Sequence, residues 1–316
     1  MTNDLNSLVQ HHPRDFSEQR YVYPVISRRA HGVSIGVNLS PTGLCNFQCV
    51  YCQVDGNLRL SGKPARNREL DLTEGTAKVC CVDSPVPMSF LEIDLSLLED
   101  ELRRTLALAL NGELFKAGSF SRTPLPMRRV NDIAFSGNGE PTLSPQFFDV
   151  AQIVVKVRNE LGAFGVKPVV ITNATRFHKA DVSEALDLLA ENGGEIWAKL
   201  DAGTHAYYQQ VDRSQVPFQT IIDNIANAAK RSPIVIQTLL IRMHGEPMPE
   251  AELLAYMERL HEITQQGGQI KLVQFHTIAR ATAEPWVTPL DNQELDAFAG
   301  RVRNETCLPV ETFYGK

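Results

Sequence analysis

The sequence predicts an α/β protein built on a parallel sheet. Short, nearly continuous apolar runs recur along the chain, as strands buried on both faces require. Helical patterns with readable start signals separate these runs. Strand and helix alternate six times, an order that implies a parallel sheet with helices outside, either doubly wound or curled into a full or partial barrel. With 316 residues, 43% of them hydrophobic, the chain can bury a large core. A chain of roughly 300 residues hides about 75% of the surface its unfolded form exposes, so neither disulfides nor a structural metal is needed to hold it together. A cofactor, if present, serves chemistry.

Taken in order, residues 1–31 read as an N-terminal extension, polar over 1–20 with no apolar signal-peptide core. Over 32–40, Val33, Ile35, Val37 and Leu39 alternate with the period of two of a strand that has one face packed. An insertion of about 57–92 then interrupts the alternation. Its first part, 57–68, holds Arg59, Lys63, Arg66 and Arg68 among Gly and Pro, and a second loop over 116–129 adds Arg122, Arg128 and Arg129. Such compositions describe solvated charged loops, or a lid that contacts phosphate or carboxylate.

The first helix carries Leu98, Leu102 and Leu106, with Ser96 and Glu99 as its expected capping box. A strand over 132–136 follows, then a helix over 147–161 with Ser144 as N-cap and Pro145 at the first helical position. The strand over 168–172 leads to a helix through 185–189, for which Asp181 and Glu184 form the expected capping box. Strands over 196–200, 234–241 and 270–276 alternate with helices over 218–230, 250–265 and 291–303, the second ended by Gly267 and Gly268.

Lys and Arg total 31 against 37 Asp and Glu, a net charge of -6 that argues against broad electrostatic wrapping of nucleic acid. No window offers the ~20 consecutive apolar residues of a membrane span, and a cytoplasmic location is expected. The six cysteines stand at 45, 49, 52, 80, 81 and 307. Three crowd into eight residues and two are adjacent, poor material for a disulfide framework and suggestive of metal in a reducing compartment.

Cys45, Cys49 and Cys52 have the spacing C-x3-C-x2-C in LCNFQCVYC, directly after the first strand. That places them at the C-terminal end of the sheet, where active sites of such folds collect. Three thiolates can hold three irons of a four-iron cluster and leave the fourth open to a small molecule. A structural zinc site would want four closed ligands, commonly as two separated pairs, and no second C-x2-C is present. Cys80 and Cys81 in KVCCV would face opposite sides of a strand, and Cys307 stands alone, so none of these is expected to be a cluster ligand.

This cysteine spacing, with Tyr51 just before the last cysteine, resembles the signature of the radical S-adenosylmethionine superfamily. A second superfamily element, Gly-Gly-Glu-Pro at the end of the next strand, is matched by Asn138, Gly139, Glu140 and Pro141 in FSGNGEPT, where Asn138 replaces the first glycine and Gly137 precedes it. Through VVITNAT, AKLDAGT and VQFHTIARATAEPWVTPL the likeness extends over most of 33–290 to the group related to tRNA wyosine synthases. The archaeal members carry further cysteines upstream for a second cluster, and no cysteine precedes Cys45 here.

The resemblance implies a partial (β/α)6 TIM-like barrel over 32–316. It implies a radical enzyme whose 4Fe-4S cluster, on Cys45, Cys49 and Cys52, cleaves S-adenosylmethionine into a 5'-deoxyadenosyl radical that abstracts hydrogen from a substrate. Tyr51, Gly137, Asn138, Gly139 and Glu140 are expected at the cofactor, the last two toward the methionyl amine. Asn173 and Asp201 are expected at the ribose hydroxyls or methionyl carboxylate, unless they only form turns. Lys199 lies on the face of Asp201, either paired with it or acting on substrate. Gln237, Arg242 and His276 are weaker candidates for adenine, carboxylate or substrate contact, and Arg280 and Glu284 are expected to form a loop ion pair. A reductant protein such as flavodoxin or ferredoxin is implied; the substrate is open among a tRNA base, a peptide and a small metabolite. A rival reading, an iron-sulfur or zinc protein serving electron transfer or regulation, is separated from this one by cleavage of S-adenosylmethionine.

Overall fold

A computed structural model of the chain describes residues 19–40, 43–54, 71–73, 76–78, 86–87 and 92–315. The basic segment 57–68 and Cys80 and Cys81 lie outside the described residues. The six expected strands are present as β2 (Gly32–Val37), β6 (Val130–Phe135), β7 (Lys167–Thr172), β8 (Glu195–Lys199), β9 (Ile234–Leu239) and β11 (Ile270–His276). They run parallel and adjacent in that order, a curled half-barrel. Two strands extend the sheet beyond the expected six. β1 (Val22–Ser27) pairs antiparallel with β2, and β13 (Val310–Phe313) pairs parallel with β11 at the other edge. In the insertion, β3 (Asp71–Thr73), β4 (Thr76–Lys78) and β5 (Val86–Pro87) form a separate small antiparallel sheet.

Six helices cover the outer face: α1 (Leu95–Leu110), α2 (Phe147–Glu160), α3 (Ala180–Glu191), α5 (Phe218–Arg231), α6 (Glu250–Gln265) and α7 (Asn292–Thr306); a short α4 (His205–Val211) follows β8. Alternation along each strand separates two cores. Ile133, Phe135, Val170, Ile196, Ile236, Val273 and Phe275 pack outward with the helices, while Ala134, Val169, Trp197 and Val235, with Ile171 and Leu272, form a distinct inner cluster. The inner cluster is an apolar floor inside the half-barrel.

Local chemistry moves several expected helix starts. Asp94 caps α1, its side chain accepting from Leu97 N, so Ser96 and Glu99 fall inside the helix. Glu99 pairs instead with Arg103 and Lys156. Before α2 the chain makes a 3-10 turn, Pro141–Leu143, that ends at Ser144, and the helix begins at Phe147 without a side-chain cap. For α3, Asp181 lies in the first turn after Lys179, favourable to the helix dipole but not a cap. A full capping box does occur at α7, between Asp291 and Glu294. The stretch 234–241 divides after Leu239, and the second piece, β10 (Ile241–Met243), pairs with β12 (Val287–Pro289) in a small side ribbon. Buried Glu101 on α1 accepts from the backbone N–H groups of Arg20, Tyr21 and Val22, tying the edge strand to its helix. Among the described residues no helix is long and apolar enough to cross a membrane.

Candidate functional site

The chain leaving β2 and the chain leaving β6 are held side by side. Buried Asn38 accepts through Oδ1 from Ser40 N at 3.1 Å and from Asn138 N at 3.3 Å. A Cβ on Gly137 would fall 2.3 Å from that same oxygen, and a Cβ on Gly139 would fall 1.9 Å from the Leu44 carbonyl oxygen. Both positions need glycine because the neighbouring chain occupies the space of a side chain. Glu140 N donates to the Leu44 carbonyl at 2.9 Å. LCNFQCVYC and SGNGEP are therefore one packed unit.

The carboxylate of Glu140 is buried and fully engaged. Oε1 accepts from Thr142 N at 3.1 Å, from Thr142 Oγ1 at 2.6 Å and from Thr172 Oγ1 at 2.6 Å, and Oε2 accepts from Asn173 N at 2.8 Å. Burial pushes its pKa up, and these bonds oppose the push. Glu140 thus clamps the end of β6 to the end of β7. Asn173 continues the clamp, donating Nδ2 to Asn46 Oδ1 at 2.7 Å, while Asn46 Nδ2 donates to Thr175 Oγ1 at 2.8 Å. Asn46 lies between Cys45 and Cys49, so this bond holds the cysteine loop itself.

The end of α4 forms a third support. Gln48 N and Val50 N donate to the carbonyls of Asp212 and Val211, each at 2.9 Å, and Ser214 Oγ donates to the Asn46 carbonyl at 3.0 Å. On the remaining side Ala283 N donates to the Cys52 carbonyl at 2.9 Å. Phe47 and Val50 bury into the core between the cysteines, Phe47 edge-on to Tyr208 at 5.7 Å.

A charged cluster lies beneath the loop. Cys49 Sγ donates to Asp212 Oδ1 at 3.4 Å, and the Tyr51 hydroxyl donates to Asp201 Oδ2 and faces Asp212 Oδ1 at 3.5 Å. Lys199 Nζ is 3.1 Å from Asp201 Oδ2 and 5.1 Å from the centroid of the Tyr51 ring. Asp201 Oδ1 accepts from Leu239 N at 2.7 Å. Burial and the nearby Asp201 push the Asp212 carboxyl up; burial, then Asp212, pushes the Cys49 thiol up. A Cys49 thiolate in this setting calls for a cation.

Three half-buried cysteines on a loop braced from four sides suit an iron-sulfur cluster, whose charge would stabilise them as thiolates. Among the described residues no three Cys, His, Asp or Glu side chains converge as a single ion requires. A cluster makes a different demand, because each thiolate meets a different iron.

Sequence reasoning singled out Tyr51, Lys199 and Asp201, which the structure brings together, and Gln237, which pairs with Gln274 at 3.2 Å on the next inner strand. His276 ends β11 with a buried Nδ1 that has no partner. Arg242 is elsewhere, on the side ribbon, bound to the Gly245 carbonyl and to Glu294. Glu284 meets Arg213 at 2.7 Å, in place of the expected pair with Arg280. Asn38, Asn46, Asp212 and Glu252 escaped the sequence reading. Glu252 accepts from Gly203 N, Thr204 N and Thr204 Oγ1, fixing the turn that follows Asp201. None of these four belongs to a spacing pattern, and only the fold carries positions 212 and 252 to the site. Clefts of about 390 and 460 Å³ occur beside the start of α7 and at the opposite end of the sheet, and neither is lined by the cysteine loop.

No protein-family model matches the chain, and no curated protein matches it. Solved structures do. One is TYW1 with a lysine-pyruvate adduct bound, with a TM-score of 0.51 and 14% identity over 96% of this chain and 81% of that one. Another is a radical SAM methyltransferase from Sphaerobacter thermophilus, with a TM-score of 0.50 and 14% identity over 93% of this chain and 69% of that one. The chain shares its fold with radical S-adenosylmethionine enzymes.

Proposed function

We propose that the protein is a radical S-adenosylmethionine enzyme with one 4Fe-4S cluster on Cys45, Cys49 and Cys52. The observation that carries this reading is the packing of Gly139 and Glu140 against Leu44: two motifs about ninety residues apart meet at the mouth of a half-barrel. When bound, the cluster and S-adenosylmethionine supply a one-electron cleavage whose 5'-deoxyadenosyl radical takes hydrogen from a substrate. The chain's own residues bind, orient and exclude water. The backbone of 137–139, where glycines permit close approach, meets the methionyl amine; Glu140 and Asn173 hold that turn against the cysteine loop. Tyr51, Asp201 and Lys199 form the polar wall facing the ribose and methionyl ends. A flavodoxin- or ferredoxin-like protein delivers the electron, and a cytoplasmic, reducing setting keeps the thiols available.

The test is anaerobic reconstitution with iron and sulfide, followed by a strong reductant and S-adenosylmethionine. About four irons per chain and formation of 5'-deoxyadenosine and methionine are expected, with both lost when Cys45, Cys49 and Cys52 are replaced together by Ala. A triple variant that keeps its iron overturns the ligand assignment. A loaded cluster that never cleaves S-adenosylmethionine favours an electron-transfer or regulatory protein.

A further inference from the structure

Five non-glycine residues among those described hold a left-handed backbone: His31, Ala174, Arg213, His244 and Cys307. Four are exposed, and Ala174 alone is fully buried. Its φ of 62° crowds Cβ against the following carbonyl oxygen, a conformation that a residue with a side chain keeps only where its surroundings fix it. Ala174 follows β7 and stands between two members of the clamp on the cysteine loop. Asn173 Nδ2 donates to Asn46 Oδ1 at 2.7 Å, and Asn46 Nδ2 donates to Thr175 Oγ1 at 2.8 Å. Both ends of one amide are gripped from either side of Ala174, so the fit depends on the dihedral angles of that residue. Within the turn, Asn173 Oδ1 accepts from Thr175 N at 3.2 Å and from Thr175 Oγ1 at 2.8 Å.

The turn is fixed from a distance. Ala174 N donates to Thr172 Oγ1 at 3.1 Å, a local bond, but the Ala174 carbonyl accepts from Asn224 Nδ2 at 2.8 Å, 50 positions further along the chain. Asn224 lies on α5, where it is the one polar side chain among the buried residues of the helix; the others are Phe218, Ile221, Ile222, Ile225 and alanines. An amide on such a face costs stability unless it is hydrogen-bonded. The same Nδ2 lies 3.3 Å from His178 Nδ1. Both contacts of this nitrogen therefore go to the segment that carries Asn173.

We infer that Asn224 is a positioning residue of the cysteine loop: from α5 it latches the left-handed turn at Ala174, and that turn sets Asn173 and Thr175 on Asn46. The purpose, a loop preformed for a cluster, rests on the reading proposed above, whereas the latch itself does not. The full chain without cluster is followed by hydrogen exchange with mass spectrometry, because the N–H groups of Gln48, Val50 and Cys52 are bonded in the braced loop and report its opening. Peptides covering 44–54 should exchange at least about tenfold faster in Asn224→Ala and in Asn224→Ser than in the parent, with peptides covering β6 and β9 unchanged.

A second substitution tests how the latch works. Glycine takes the left-handed backbone without steric cost, so adding Asn224→Ala to Ala174→Gly should speed the loop's exchange less than about threefold over Ala174→Gly alone. A tenfold effect that persists in the Ala174→Gly background overturns the inference, because Asn224 would then only fill space. Loop exchange unchanged in Asn224→Ala also overturns it, as does acceleration spread evenly over β6 and β9. If the single Asn224 variants do not fold, a folded double variant supports the latch and an unfolded one overturns it. After reconstitution with iron and sulfide, Asn224→Ala should lose iron to a chelator at least about tenfold faster than the parent. Iron loss at the parent's rate overturns the role in holding a cluster. The expected exchange pattern in a chain that assembles no cluster supports the latch while defeating the ligand assignment.

Discussion

Replacing Gly139 by Ala should disable the cysteine loop without unfolding the barrel. The added Cβ would lie 1.9 Å from the Leu44 oxygen, 2.7 Å from the Leu44 carbonyl carbon and 2.6 Å from Ser40 Oγ. Favourable contacts between such atoms lie near 3.5 Å, so the two chains must part by about 1.5 Å, and the obstacle is backbone that cannot rotate away. Overpacking of this kind costs about 1–3 kcal/mol. It also stretches the 2.9 Å bond from Glu140 N to Leu44 O, which sets the height of the cysteine loop. A displacement of about 1 Å at a reacting centre can cost a hundredfold in rate. Gly300 in α7 is the control: an added Cβ there meets nothing within 4 Å. Ala at that helix-interior position should raise stability by about 0.5–1 kcal/mol. Both variants are compared for thermal stability, iron and sulfide after reconstitution, and 5'-deoxyadenosine formation. Gly139→Ala should fold, hold iron poorly and cleave at about 1% of the parent rate, while Gly300→Ala matches the parent. Parental iron and cleavage in Gly139→Ala would refute the packing argument.

Three further outcomes are expected. The buried Asp132 has its pKa raised from 3.8 to about 6, chiefly by burial, so the fold loses stability as pH rises through that window. Asp132→Asn should therefore gain up to about 3 kcal/mol at pH 8 and nothing below about pH 4, read from urea melts across pH. Glu195 behaves in the opposite sense. Burial pushes it up, but the bonds from Lys167 and Lys271 at 2.7 Å and from Trp197 together outweigh burial and lower it to about 2, so its contribution is present above about pH 4.5 and fades as pH falls toward 2. Because both lysines are half-exposed, Glu195→Gln should cost only about 1 kcal/mol at pH 7. Asn173→Ala leaves Asn46 without its donor and should cost about 1–2 kcal/mol, with iron lost faster to a chelator than in the parent.

Five of the six central strands were legible as short, nearly continuous apolar runs, the mark of a strand covered on both faces, while β2 was read from its period of two as packed on one face and is buried along its whole length. The edge strands were not. β13 is a four-residue segment and β1 lies in a stretch with little periodicity, and each forms because a partner offers unpaired backbone groups. Helix starts slipped where two capping residues competed: Asp94 took the position expected of Ser96 because its backbone is extended there, as a cap requires. At the site, Cys45, Cys49, Cys52 and the glycines of 137–139 were visible as motifs, since close backbone approach leaves a compositional trace. The role of Glu140 was harder to read. A carboxylate at a strand end suggests a ligand contact, but its four bonds to Thr142, Thr172 and Asn173 turn it inward as a brace. Asp212 and Asn46 left no trace, because their partners are distant in sequence or in another loop.

The central claim is that three cysteines hold a cluster whose fourth iron stays open for S-adenosylmethionine. Electron paramagnetic resonance of the reduced, reconstituted protein tests it most directly. The account predicts a reduced four-iron signal whose g values shift on adding S-adenosylmethionine, with no such shift on adding methionine-free adenosine. A reduced cluster whose spectrum ignores S-adenosylmethionine, or a protein that assembles no four-iron cluster, would contradict it.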